Sequence, residues 1–132
     1  MKIFIDTSAF YALLDADDDN HHGAKTAWTD MLGNSNTLVT SNYILVESLA
    51  LLQHRMGIGA VRGFQEAIVP LVHVEFVTPE IHRSGMSALL SAARRNLSLV
   101  DCVSFEIMRG LTVETVFAFD THFREQGFTV IP

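Results

Sequence analysis

Lysine and cysteine are the scarcest reactive residues in this chain of 132 residues, which contains only Lys2, Lys25 and Cys102. A single cysteine excludes an internal disulfide and is consistent with a reducing compartment. No run of about 18 uncharged apolar residues occurs, so the sequence predicts no membrane-spanning helix. The N-terminus enters a predicted strand directly, without the layout of a signal peptide. We therefore expect a cytoplasmic protein.

Basic residues are also few, with 9 Lys and Arg against 15 Asp and Glu and a formal net charge of −6. This balance argues against nucleic-acid binding by charge alone, unless a bound cation changes it. The length predicts one domain, residues 1–132, with a sizeable core. A hydrophobic fraction of 48% and a mean hydropathy of +0.26 favour an additional buried protein interface.

Short apolar runs alternate with helical patterns along the whole chain. We predict strands at residues 3–5, 37–40, 73–77, 115–119 and 128–131. Helices are predicted at residues 9–14, 21–32, 42–55, 58–71, 79–95 and 121–126, with another opening at residues 98–101. This alternation predicts an α/β fold in three layers, α/β/α, around a mostly parallel central sheet with right-handed crossovers. In such sheets, ligands bind at the carboxyl ends of the strands.

Four acidic residues lie near those strand ends or near helix starts: Asp6, Glu47, Asp101 and Asp120. Each also has a purely structural interpretation. Asp6 and Asp120 can cap the helices that follow them. Asp101 has the spacing of a capping box with Ser98. Glu47 lies in a largely apolar helix, where it either faces solvent or needs a partner.

Converging carboxylates repel one another unless a cation neutralises them, and lysine is too rare here to do so. An all-oxygen cluster suits a hard divalent ion, Mg²⁺ or Mn²⁺. Such an ion lowers the pKa of a water and stabilises the charge on a phosphate, which is chemistry for phosphodiester hydrolysis. Arg94 and Arg95, just before Asp101, either bind substrate phosphates or form a solvated helix end that complements the helix dipole.

Four segments closely resemble the PIN-domain family, and within it the VapC-like toxins of bacterial toxin–antitoxin pairs. The segments are IFIDTSAF (3–10), TSNYILVE (40–47), LSLVDCVSF (97–105), and FAFDTHF (117–123) followed by Gly127-Phe128. Each segment alone is weak evidence of this resemblance, but the order and spacing of all four are specific to the family. The resemblance covers essentially the whole chain.

The resemblance implies a PIN fold with strand order 3-2-1-4-5, in which the first and fourth strands are neighbours. It implies a Mg²⁺-dependent endoribonuclease, with Mn²⁺ as a substitute, that cleaves RNA through a metal-activated water. Asp6 and Asp101 match the family's main metal-binding positions. Glu47 and Asp120 match its remaining acids, so the catalytic and metal-binding sets coincide.

The resemblance also implies a supporting hydroxyl from Thr7 or Ser8. VapC-like toxins usually form homodimers and are inhibited by an antitoxin protein encoded beside them, so we expect both partners here. The acidic run at residues 15–19 has no counterpart in the family's site, and its role is open. The RNA target, the cut position and the number of metal ions are open as well.

Three alternatives are compatible with parts of this pattern. The chain can be a PIN nuclease of RNA processing rather than a toxin, or a non-catalytic partner-binding PIN module, although its intact acids argue against the latter. A phosphotransfer protein with Asp6 as phosphoacceptor, such as a haloacid-dehalogenase-like phosphatase or a receiver domain, needs a late lysine. None follows Lys25. Cys102 is better explained as a small buried residue than as a nucleophile.

Overall fold

Five parallel strands form the centre of the computed structural model, which describes all residues from Met1 to Pro132. The strand order is β3-β2-β1-β4-β5 and every neighbouring pair is parallel, as predicted. The strands are β1 (Lys2–Ile5), β2 (Thr37–Ser41), β3 (His73–Glu75), β4 (Thr115–Phe117) and β5 (Thr129–Ile131).

Seven α-helices connect the strands. They are α1 (Thr7–Leu14), α2 (His21–Gly33), α3 (Asn42–Met56), α4 (Ile58–Gly63), α5 (Pro79–Ala92), α6 (Leu99–Gly110) and α7 (His122–Glu125). The contacts between helices separate them into one group of α1–α4 and another of α5 and α6. Right-handed crossovers place these groups on opposite faces of the sheet, which gives the expected three layers.

The predicted helix at residues 58–71 is not continuous. It begins as α4, widens into a π-helical turn over Phe64–Ile68 and ends in a 3₁₀ turn over Val69–Leu71. Pro70 has no backbone N–H with which to continue the α-helical hydrogen bonds. Helix α5 also ends earlier than predicted, because Ala93 adopts a left-handed conformation with φ of 51°.

Strands β3 and β4 each end two residues earlier than predicted, because side chains accept hydrogen bonds from the backbone N–H groups that follow them. The Val77 N–H after β3 donates to Asn42 Oδ1 at 2.8 Å. The Phe119 N–H after β4 donates to Ser8 Oγ at 2.9 Å. Both captures occur at the carboxyl edge of the sheet, where the sequence places its acids.

Strand β1 lies in the middle of the sheet and is covered on both faces. Its apolar residues Ile3, Phe4 and Ile5 are at most 1% exposed, as expected for a strand buried on both faces. The strand pairs Ile5 with Phe117 of β4, and the Asp6 N–H extends this pairing by donating to the Phe117 carbonyl at 3.1 Å.

Two further sequence predictions concern the environment of Cys102 and membrane-spanning helices. Cys102 is a free thiol, 2% exposed within the apolar core, which confirms its interpretation as a small buried residue. None of the helices combines the length and the apolar character that crossing a bilayer requires.

Candidate active site

Asp6 occupies the carboxyl end of β1, at the point where the strand order reverses direction. It is the N-cap of α1, and its Oδ2 accepts from the Ser8 N–H at 3.1 Å and from the Ser8 hydroxyl at 2.6 Å. The Ser8 hydroxyl in turn accepts from the Phe119 N–H. Ser8 therefore ties the Asp6 carboxylate to the backbone that follows β4.

Asp101 lies in the first turn of α6 and forms the predicted capping box. Its N–H donates to Ser98 Oγ at 3.1 Å, and its Oδ2 accepts from the Ser98 N–H at 3.0 Å. The side chain is 9% exposed. These bonds fix the direction of the carboxylate and leave its second oxygen free of a protein partner.

Asp120 follows β4 and accepts from the His122 N–H through Oδ1 at 2.8 Å. Donor atoms of Asp101, Asp120 and His122 all lie within 4.8 Å of one another. The short turn after β4 thus brings Asp120 against the start of α6, although the two acids come from separate elements.

The three aspartates influence one another electrostatically. Asp6 is 4% exposed, and burial raises its pKa from 3.8 to about 7; the Ser8 hydrogen bonds oppose this rise, while the charges of Asp101 and Asp120 add to it. Burial and then the charge of Asp120 also raise the pKa of Asp101, against its bonds to Ser98. The fold therefore brings these three acids together, as the sequence predicted.

Glu47 takes a different position from the other acids. It is exposed and has no hydrogen-bond or ion-pair partner. It lines a shallow apolar pocket with Asn42, Tyr43, Val46 and Val100. Because Val100 immediately precedes Asp101, this pocket borders the acidic cluster. Glu47 lies at the rim and outside the group of three aspartates.

The two candidate hydroxyls have different environments. Ser8 holds Asp6, as described above. Thr7 is 8% exposed and its Oγ1 is buried without a hydrogen-bond partner. A buried hydroxyl without a partner costs free energy, which sets Thr7 Oγ1 apart from the fully bonded Ser8 hydroxyl.

The two candidate arginines lie in the loop after α5, since that helix ends before them. Arg94 forms an ion pair with Glu125 at 2.8 Å. Arg95 is exposed and has no ion pair or side-chain hydrogen bond. Only Arg95 is therefore free to receive an anion without first breaking an existing contact.

His122 is the one residue of this region that the sequence analysis missed. It is 8% exposed, and its Nε2 lies 2.9 Å from the Asn96 carbonyl oxygen. Its position two residues after Asp120, inside the FAFDTHF segment, is a signal that could have identified it. Imidazoles are common at such sites because they donate, accept or bind metal.

The donor set fits a divalent cation. The carboxyl groups of buried Asp6 and Asp101 and half-buried Asp120 converge without a lysine, and burial, with smaller contributions from the charges of Asp101 and Asp120, raises the pKa of Asp6. A hard cation with oxygen ligands relieves this situation. The acidic cluster can therefore hold a metal ion.

The sequence matches the family model described as "PIN domain" over residues 3–128. It is 34% identical over 130 residues to the 23S rRNA-specific endonuclease VapC20 of two strains of Mycobacterium tuberculosis, an alignment that covers 98% of this chain and 97% of the relative.

Solved structures give the same comparison. The Sarcin-Ricin loop cleaving toxin VapC20 of Mycobacterium tuberculosis superposes with a TM-score of 0.88 at 33% identity, covering 98% of this chain and 99% of the other. VapBC2 of Rickettsia felis, bound to a promoter DNA fragment, gives 0.72 at 9% identity, covering 98% and 97%. FitAcB of Neisseria gonorrhoeae gives 0.68 at 16% identity, covering 100% and 97%. The last two similarities concern the fold alone.

We expect Asp6→Asn to stabilise the metal-free protein, and to do so more at pH 8 than at pH 5. Between its ordinary pKa of 3.8 and its folded pKa of about 7, Asp6 holds a proton in the folded state that it has lost in the unfolded state. The wild type therefore loses stability as pH rises through this window, by up to ~4 kcal/mol at ~1.4 kcal/mol per pKa unit. Asparagine removes the charge and remains a good N-cap.

The measurement is urea unfolding in the presence of a chelator at both pH values. Asp30→Asn, which neutralises an exposed acid of α2, is the matched control and should leave the pH dependence unchanged. A stability difference between wild type and Asp6→Asn that is equal at both pH values would contradict the interpretation.

Proposed function

The chain belongs to the PIN-domain family, and on that premise we propose that it is a metal-dependent endoribonuclease that cleaves RNA phosphodiester bonds. The observation that supports this most directly is the convergence of Asp6, Asp101 and Asp120 at the carboxyl edge of the sheet. A substrate phosphate brought to this edge would meet oxygen ligands suited to a divalent ion.

We propose 23S rRNA as the substrate. The support is the 34% identity, over 98% of the chain, to a relative named as a 23S rRNA-specific endonuclease. The related solved structure is described as a toxin that cleaves the Sarcin-Ricin loop. A loop is suitable for sequence-specific cleavage because its unstacked bases are accessible, whereas those of a continuous A-form helix are not.

Mg²⁺ is the proposed ion, with Mn²⁺ able to replace it, because all the acids offer hard oxygen ligands. When bound, such an ion lowers the pKa of a water and stabilises the developing charge on the phosphate. In this proposal Asp6 and Asp101 hold the ion. Asp120 positions the water or a second, weaker ion.

Glu47 and Thr7 have supporting roles in this proposal. Glu47 is exposed at the rim, so its side chain can turn toward the ion without losing a protein contact. Thr7 Oγ1 is buried without a protein partner, and in this proposal a bound water at the site supplies one. Ser8 keeps Asp6 in place.

Arg95 is the proposed contact to a substrate phosphate. Its guanidinium is unpaired, whereas that of Arg94 is held by Glu125. Because the formal net charge of the chain is −6, an exposed arginine in the loop before Asp101 would supply local attraction that the protein as a whole does not.

We further propose that the protein acts in the cytoplasm as the toxin of a toxin–antitoxin pair, as a homodimer inhibited by a cognate antitoxin. The relative of known structure is itself described as a toxin. Three large apolar side chains are well exposed, Val46, Phe76 and Leu90 at 67%, 69% and 72%, and such exposure supports contacts with protein partners.

The nuclease proposal predicts discrete cleavage of ribosomal RNA by the purified protein in Mg²⁺ or Mn²⁺. Cleavage should cease with EDTA and fall at least about 100-fold in Asp6→Asn, because losing a direct ligand costs more than losing an outer partner of a metal site. The cleavage positions are mapped with intact ribosomes and with total RNA as substrates. No cleavage by a folded, metal-bound wild type would favour the non-catalytic module.

The arginine proposal predicts that Arg95→Ala raises KM more than Arg94→Ala. Loss of one phosphate contact should reduce the slope of log KM against the logarithm of the salt concentration by about 0.7. Arg62→Ala on α4, which removes an exposed arginine without an ion pair, controls for the change in net charge. Equal effects of Arg95→Ala and Arg62→Ala would assign the change to net charge alone.

The toxin proposal predicts that expression of the wild type arrests bacterial growth and that Asp6→Asn does not. Co-expression of a cognate antitoxin should restore growth, and light scattering of the purified protein should give the mass of a dimer. Active nuclease without growth arrest would instead indicate a PIN nuclease of RNA processing.

A further inference from the structure

The imidazole of His122 lies between the two segments that supply Asp120 and Asp101. Its Nε2 is 2.9 Å from the carbonyl oxygen of Asn96 and 3.6 Å from Asp120 Oδ1. Its Nδ1 is buried without a hydrogen-bond partner, 3.9 Å from Glu125 Oε2. The ring therefore has one well-made hydrogen bond, and that bond goes to the loop before α6.

The partner of Nε2 determines where the proton is. A carbonyl oxygen only accepts hydrogen bonds, so Nε2 must carry a proton and donate it to Asn96. A protonated nitrogen has no lone pair for a metal ion. Although His122 lies within 4.8 Å of two candidate metal ligands, the nitrogen nearest Asp120 is thus unable to coordinate in this arrangement.

The Asn96 carbonyl belongs to the loop that leads into the capping box of Asp101. Asn96 is followed by Leu97, which is 6% exposed in the core, and then by Ser98, whose backbone and side chain hold Asp101. A shift of this loop would move Ser98 and reorient the Asp101 carboxylate with it.

Repulsion acts against this arrangement before any cation binds. The charge of Asp120 raises the pKa of Asp101, which means that the two carboxylates destabilise each other when ionised. The hydrogen bond from His122 to Asn96 and the ion pair between Arg94 and Glu125 connect the loop to α7. Both contacts oppose separation of the two acids.

We propose that His122 is a positioning residue, whose Nε2–H holds the loop before α6 against the turn that carries Asp120 and so sets the position of Asp101, a proposed ligand of the divalent cation, relative to Asp120. This inference rests on the proposed function of the acids as metal ligands. In this proposal His122 does not coordinate the metal ion. It orients the residues that do, as the outer partners of other metal sites do.

Two substitutions distinguish a role of the Nε2–H donor of His122 from a role of its imidazole ring. In His122→Gln the side-chain amide nitrogen can take the position of Nε2 and still donate to Asn96. In His122→Asn the side chain is too short to reach, although it is similarly polar. We expect His122→Asn to raise the dissociation constant for Mn²⁺ by about 10-fold or more, and His122→Gln to stay close to the wild type.

Arg109→Ala is the matched control for stability. It removes a hydrogen bond to Gln126 at 2.8 Å and a stacking contact with Phe128, at the other end of the contact between α6 and α7. This variant should lose stability and keep its affinity for Mn²⁺. Calorimetric Mn²⁺ titration and urea unfolding are carried out on all four proteins without RNA.

The result that overturns the inference is equal affinity of wild type and His122→Asn. Loss of affinity in all three variants in proportion to lost stability overturns it as well. Equal weakening of His122→Gln and His122→Asn, with Arg109→Ala unchanged, also overturns it and assigns a ring nitrogen as a ligand.

Nitrogen-15 NMR of the wild type tests the same point without a substitution. We expect Nε2 of His122 to be protonated both in the metal-free protein and after addition of Mg²⁺. Loss of the Nε2 proton on adding Mg²⁺ would contradict the proposal. Because none of these measurements uses RNA, a wild type that binds the ion but cleaves nothing refutes the nuclease proposal alone.

Discussion

The structure holds three carboxyl groups, those of Asp6, Asp101 and Asp120, close together at the carboxyl edge of β1 and β4. Burial and mutual repulsion raise the pKa of Asp6 to about 7, so the site carries electrostatic strain in the absence of a cation. The fold opposes this strain with short polar contacts to side chains that are themselves anchored. The Ser8 hydroxyl is the central one, because it donates to Asp6 and accepts from the Phe119 backbone.

The structure confirms the structural interpretation of the acids and leaves room for the proposed functional one. Asp6 caps α1, Asp101 completes a capping box, and Asp120 accepts from the His122 backbone. Each cap uses one carboxylate oxygen and fixes the direction of the other. A capping acid is thus pre-oriented for a ligand at no extra cost in side-chain entropy. An acid in a helix interior such as Glu47 has no such constraint, which explains its separate, exposed position at the rim.

The sequence was sufficient to predict the parallel sheet, its strand order through the family resemblance, and the convergence of the three aspartates. These features follow from short apolar runs that end on acids and from local capping patterns. The sequence was insufficient for features that tertiary contacts determine. The capture of Val77 and Phe119 amides by Asn42 and Ser8 shortened two strands, and the Arg94–Glu125 pair spans 31 positions. The position of His122 in the FAFDTHF segment marks it as a candidate, but its hydrogen bond to the Asn96 backbone carbonyl is a tertiary contact that the sequence does not predict.

The four-residue helix α7 shows how a marginal element can position an acid. A helix this short gains little from its own hydrogen bonds, so its stability comes from tertiary contacts. The ring of Phe123, fully buried, packs edge-to-face on Phe105 of α6 with centroids 5.1 Å apart, a geometry that aromatic pairs favour. The packing of Phe123 therefore helps to hold His122, and the turn before α7 that carries Asp120, near the start of α6. Packing in the core and spacing in the site are thus linked where α7 meets α6 and the loop before it.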